Sequence, residues 1–348
     1  MSNRRPRNLA VSACCVALAS SFVLTLCRSA GADPYRAPEY GWNYGEIESP
    51  RTLAMGGASR AWGWSTSAIA ANPANTVAQH VYHFEGLFGM DTTAHRLTFG
   101  AGVLDSATSR VSLGLLAVKN DIGNDSDPYQ RHAIDVRAAA AYPLSDRFSF
   151  GVTGRYLSVK QDGSGPLGAS PVSQGSGDPN FQNFTFDAGL TATPVESLRL
   201  SLVGYNLTAT GNPLAPLMLA GGVGLKLGDF TAEVDGIGVD ATTWGSWKAR
   251  VQVGAELLVA DRFPIRAGYG YDDGTRRHSV SFGAGYVDKQ FAVDGGFRTE
   301  VAGPSDPWGK ALVFVVGLRY FLDLSSQEQA PPLASGSMGG PRPGAATF

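Results

Sequence analysis

"QNFTFDAGLTAT", residues 182–193, decides the fold. Read with period two, Phe184, Phe186, Ala188, Leu190 and Ala192 share one face, and Thr185, Asp187, Gly189 and Thr191 share the other. A segment with one oily and one polar side is a strand. Whether its oily side meets a protein core or lipid sets the architecture.

The same alternation recurs along the chain. Fourteen segments of roughly ten residues carry it, at about 81–90, 95–104, 110–119, 132–143, 148–160, 182–193, 198–208, 217–228, 229–239, 248–259, 263–271, 277–287, 290–299 and 310–321. About ten residues is what a tilted strand needs to cross a bilayer. The connections alternate too. "NDIGNDSDPYQR", "QDGSGPLGASPVSQGSGDPNF" and "VAGPSDPWGK" are long and polar, whereas "LSDR", "PVES", "GD", "ADR" and "DK" are tight turns. Outer-membrane barrels sort their loops this way, with short turns in the periplasm and long loops outside.

Mid-strand charges follow the same parity. With each register set from apolar residues alone, Glu85, Asp135, Arg137, Arg155, Asp187, Glu233, Asp235, Arg250, Glu256, Arg266, Asp294 and Arg319 fall opposite the oily face, as do Arg96, Arg199, Lys226 and Arg298. Lys119, Lys160, His278 and Lys310 are exceptions at strand ends, where side chains reach the headgroups. Periodicity cannot by itself tell a soluble sandwich from a membrane barrel. Strand length, strand number, loop parity and an export signal together favour the barrel, whose oily face meets acyl chains and whose charges line the lumen. Nine basic against seven acidic luminal groups fit ion pairs bracing a filled barrel better than a filter of one sign, though both readings stand at this level.

Composition and the N-terminus agree. Charged residues make up 17% of 348 and glycines number 44, about an eighth of the chain against a usual share of roughly 7%. Arg4, Arg5 and Arg7 precede a mostly apolar stretch from Leu9 to Leu26, and Ala30-Gly31-Ala32 offers a small-x-small cleavage pattern. Residues 1–32 read as a signal peptide cut after Ala32; the alternative, a lipoprotein site at Cys27, has the bulky Leu26 before it. All three cysteines lie within this signal. Its removal takes four arginines and moves the net charge from −2 to −6, which argues against nucleic acid as a partner.

Residues 33–76 resist a strand reading. They are rich in Pro, Gly, Ala and aromatics, too apolar to hang in the periplasm and too irregular to face lipid. A fourteen-stranded lumen needs filling, so this segment is expected there, residues 77–323 forming the wall. Residues 324–348, Pro-, Gly- and Ser-rich, read as a disordered tail after the closing "VVGLRYFL", in which Tyr320 and Leu322 take the usual aromatic or apolar places.

"RTLAMGGASRAWGWSTSAIAANPA" (51–74) resembles the N-terminal signature of the FadL-like outer-membrane barrels, the long-chain fatty-acid transporter superfamily with its PorV-like secretion-associated branch. Met55-Gly56-Gly57-Ala58 and Asn72-Pro73-Ala74 carry the match. "GYNLT" (204–208) and "VGAELLVADRFPIRAGYGYDDG" (253–274) are similar to the PorV-like branch. The resemblance implies an all-β, antiparallel up-and-down barrel in the outer membrane, with residues 33–76 as a hatch inside it. Two functions follow: passive transport of hydrophobic small molecules such as fatty acids, or a non-transporting barrel that docks a secreted or surface protein. Trp42, Trp62 and Trp64 are candidates to stack on a hydrophobic ligand. No cofactor, metal site or enzyme activity is expected. His80 and His83 point to opposite faces of a strand, "GGVGLKLG" lacks phosphate-loop spacing, and nothing in the sequence marks a serine partner for a histidine.

Overall fold

The computed structural model describes residues 42–123, 129–163, 180–212, 214–241, 245–303 and 310–322. The signal peptide, the first nine residues of the expected hatch and the tail lie outside the described residues. Fourteen strands follow in order: β1 (Tyr82–Asp91), β2 (Arg96–Asp105), β3 (Ser112–Ile122), β4 (Tyr129–Ser145), β5 (Phe148–Gly163), β6 (Asn180–Val195), β7 (Leu198–Tyr205), β8 (Met218–Leu227), β9 (Phe230–Val239), β10 (Lys248–Val259), β11 (Phe263–Asp272), β12 (Arg277–Val287), β13 (Phe291–Ala302) and β14 (Leu312–Leu322). Each pairs antiparallel with its neighbour. β14 returns to β1 over ten residue pairs, from Tyr82–Leu322 to Asp91–Val313, and the sheet closes into a barrel. Closure leaves no unpaired edge for hydrocarbon to meet.

The wall is apolar outside and polar inside. Phe184 and Phe186 are 53% and 47% exposed, while Thr185 and Asp187 between and beside them are 1% exposed. Pro143 and Pro194 lack an N–H for the ladder, and the register slips at both places. β4, β5 and β6 run to 17, 16 and 16 residues, longer than their alternating cores. Backbone pairing such as Tyr129–Gly163 and Lys160–Asn180 carries them on through polar sequence. In water the ladder needs no oily face to continue.

Phe186→Arg is expected to block assembly, since an arginine at mid-bilayer costs about 2–4 kcal/mol. Asp187→Asn is expected to assemble but to heat-dissociate earlier. It keeps an acceptor for the Asn206 amide, 2.8 Å from Asp187 Oδ1, and loses the charge facing Arg137, 3.7 Å away. Heat-modifiable gel mobility distinguishes the two; equal behaviour would overturn the register.

Residues 42–77 fill the interior. Helix α1 (Pro50–Ala54) starts at Ser49, whose hydroxyl accepts from the Thr52 amide, with Pro50 in the first turn. Helix α2 (Thr66–Ala71) leads into a 3-10 turn, Pro73–Val77, capped by the Asn72 side chain on the Ala74 amide. α1 packs on β11 to β14, α2 on β2 to β4, and the turn on β3 to β6. One short segment thus touches strands all round the barrel.

Candidate functional site: the filled lumen

The segment is held by wall carboxylates acting on its backbone. Asp235 and Glu233 sit two residues apart on β9 and so share the luminal face. Asp235 Oδ2 accepts from the amides of Ser59 and Arg60 at 2.9 and 3.1 Å, and Glu233 from those of Ala61 and Trp62 at 2.6 and 3.0 Å. Four successive N–H groups that no helix or sheet could satisfy find acceptors here.

Arg60 locks the same point. Its guanidinium donates to Gly57 O, Asp235, Gln252 and Glu46 at 3.3, 3.1, 2.8 and 2.6 Å, and lies over the Tyr205 ring. Burial alone would push the Glu46 carboxyl up, but the Arg250 and Arg60 guanidiniums beside it hold it below the usual range. Burial also opposes the Arg60 charge, yet its acidic neighbours leave its pKa raised.

Other luminal charges continue this network. Arg51 and Arg266 share Glu256 at 3.1 and 2.5 Å, Arg266 reaches Asp294 at 2.5 Å, and Arg319 pairs with Asp294. Arg137 and Arg155 converge on Asp135 and on Gly45 O, at 2.8 and 3.0 Å from that carbonyl. Arg250 donates to Glu46 at 2.9 Å, and Arg298 pairs with Glu48. Charges of both signs brace wall and segment together, as ion pairs and not as a filter of one sign.

Segment and wall backbones meet closely at β10 and β11. Gly254 and Gly268 are cross-strand partners, and the Met55–Gly56 peptide lies on both. A Cβ added to Gly268 would come within 2.1 Å of Gly56 N, and one added to Gly254 within 2.5 Å of Met55 O.

The sequence stretches quoted for the resemblance meet in space. Met55-Gly56 rests on the glycines of "VGAE" and "RAGY". In "GYNLT" the Tyr205 hydroxyl donates to Ala71 O, and Asn206 Oδ1 accepts from Arg155 at 2.9 Å. Asn72, fully buried, donates to Arg60 O at 2.8 Å and to Thr191 at 2.9 Å, with Ala58, Pro73 and Ala74 buried near it.

The three tryptophans occupy different settings. Trp62 lies against Gly224, with Arg199 over its ring at 3.9 Å. Trp64 lies under Arg319 at 4.5 Å. Trp42 is 6% exposed and donates through Nε1 to Leu214 O at 2.9 Å. It fills a cup of luminal Ile122, Ala133, Leu157 and Val159, roofed by Leu214 and Ala215 from the β7–β8 connection. This cup lies at the long-loop end, with its Ala133 between the inward-facing Arg131 and Asp135 on β4.

Sequence reasoning missed a serine–histidine contact. Ser65 Oγ lies 2.6 Å from His83 Nε2, and Ser65 has a left-handed φ of 70°. Serine and ring are 4% and 0% exposed, and His83 Nδ1 has no hydrogen-bond partner to orient it. Glu85 instead accepts from the Ser65 and Thr66 hydroxyls. The signal that could have marked Ser65 is its place directly before the Ala-rich helix.

No protein-family model matches the chain, and no curated protein matches its sequence. Solved structures do match. The CymD monoaromatic hydrocarbon channel superposes with a TM-score of 0.63 at 13% identity, over 81% of this chain and 99% of that one. The Ralstonia pickettii toluene transporter TbuX gives 0.59 at 12%, over 81% and 100%. A Pseudomonas aeruginosa FadL homologue gives 0.56 at 13%, over 78% and 98%. This is the FadL-like barrel fold. The wall, oily outside and charged within, has the arrangement of an outer-membrane barrel. Its interior here is a packed network of ion pairs and backbone contacts.

Proposed function

We propose that the protein is a passive channel for hydrophobic small molecules, with residues 33–76 as its hatch. The apolar cup around Trp42 carries this reading. Trp42 packs there on Ile122, Leu157, Val159 and Leu214, an apolar surface on which a solute taking its place would gain about 25 cal/mol per Å² that it buries. Trp42 acts as the cup's own stopper, and a solute enters by taking its place. Transport is then partitioning followed by movement of the segment. The named structures of like fold, described as a hydrocarbon channel, a toluene transporter and a FadL homologue, support the ligand class; aromatic hydrocarbons and fatty acids are both candidates. A docking role for a secreted protein has no comparable support.

The test is uptake into liposomes of radiolabelled toluene and of a fluorescent fatty acid. Uptake above that of empty liposomes is expected for at least one, and Trp42→Ala is expected to speed it several-fold by emptying the cup. Uptake equal to empty liposomes for both solutes, in both proteins, removes the transport reading.

A further inference from the structure

The outer surface has a depression that spanning a membrane does not require. Side chains there form rows across the sheet. Val316, Phe88, Phe99 and Lys119 are successive partners on β14, β1, β2 and β3. The next row toward the short-turn end is Leu318, Gly86, Ala101 and Ala117, and beyond it Phe84, Val103 and Leu115. Large residues thus border a trough whose floor has almost no side chains. A Cβ placed on Gly86 would meet nothing within 4 Å. An open depression of about 660 Å³ occupies this place, and Lys119 is the charged residue in its lining.

The end of the trough nearer the long loops is basic. Asp121, His132 and Lys160 are successive partners on β3, β4 and β5, all near the bilayer surface. Asp121 Oδ2 accepts from Lys119 Nζ at 2.7 Å, and Asp121 Oδ1 lies 2.8 Å from His132 Nδ1. An ammonium has three donors, and Asp121 takes one from Lys119. Lys119 on β3, and Lys160 two strands away on β5, face outward on either side of His132 and leave positive charge directed at the headgroup layer, where long side chains extend to reach it.

We propose that this face binds a phosphate-bearing lipid of the outer leaflet, with an acyl chain in the trough and its phosphate on Lys119 and Lys160. An apolar trough ending in ammonium groups fits an anionic amphiphile. A phosphate oxygen accepts charge-assisted hydrogen bonds from several donors together, which one phosphate can do for both lysines. The site lies outside the wall and does not depend on the luminal reading.

The test is native mass spectrometry of the purified, delipidated full chain with equal amounts of dilauroyl phosphatidic acid and dilauroyl phosphatidylcholine. The phosphatidic acid adduct should predominate, by roughly fivefold for each lysine near the headgroup. The double variant Lys119→Gln/Lys160→Gln should lose that preference and still bind phosphatidylcholine. Ala117→Phe, which fills the trough, should weaken both adducts. Heat-modifiable mobility establishes that each variant is folded. The proposal fails if the wild type shows no preference, if the double variant keeps it, or if Ala117→Phe leaves both adducts unchanged.

Discussion

A chain lacking residues 34–51 is expected to insert, close and conduct. None of the fourteen strands needs these residues, since β1 begins at Tyr82 and completes its ladder with β14 and β2. The lumen does need them. The deletion removes Trp42 from its cup, Glu46 from Arg60 and Arg250, Glu48 from Arg298, and Arg51 from Glu256. Arg137 and Arg155 lose the Gly45 carbonyl that they share. These groups would then line water instead of one another, and a lumen of fourteen strands is wide enough to carry it. Single-channel conductance in planar bilayers should rise on the order of tenfold or more over the intact chain. An intact protein that already conducts like an open porin, or a truncated one that stays silent while folded, would show that the segment does not seal the barrel.

The second large effect is expected from a single methyl group. Gly268→Ala puts a Cβ 2.1 Å from Gly56 N and 2.2 Å from the Met55 carbonyl carbon, with backbone on both sides and no flexible side chain to yield. Overpacking in a well-packed interior costs about 1–3 kcal/mol, and more where backbone must shift. Because β11 is fixed between β10 and β12, the segment is what moves. Added protease should cut the variant within residues 42–77 at concentrations that spare the wild type, and its conductance should become noisy. Gly86→Ala is the control: its Cβ meets nothing within 4 Å, and it should match the wild type in both measurements. If Gly268→Ala also matches the wild type, the segment is not seated on the wall as described.

Much of the wall is legible because period-two alternation is a local signal. Phe186 and Asp187 declare their faces without knowledge of any partner. The ends of β4, β5 and β6 were not legible, because strands that continue into water are no longer sorted by polarity. The luminal location of residues 42–77 follows from their composition, but their fastening does not. Nothing around Glu233 and Asp235 shows that they serve the amides of residues 59–62, since the contact spans over 170 positions and backbone donors have no residue code. Ser65 and His83 are a similar case, their pairing set by how α2 enters the lumen. The stretches quoted for the family resemblance were informative for a reason visible only in three dimensions. They are the surfaces where segment and wall touch, and contact limits which residues fit.

The sequence distance of these fastenings has a consequence for how the protein is made. Residues 48–62 leave the ribosome early, yet their partners lie 171 to 250 positions later, from Glu233 and Asp235 to Glu256 and Arg298. Until β9 to β13 arrive, the four amides of residues 59–62 and the side chains of Glu48 and Arg51 must be served by water. The segment is therefore fastened only once the last strands have docked, so the seal of the barrel is the final thing to set. Contacts this remote make folding slow, so a long interval separates the synthesis of the segment from its fastening.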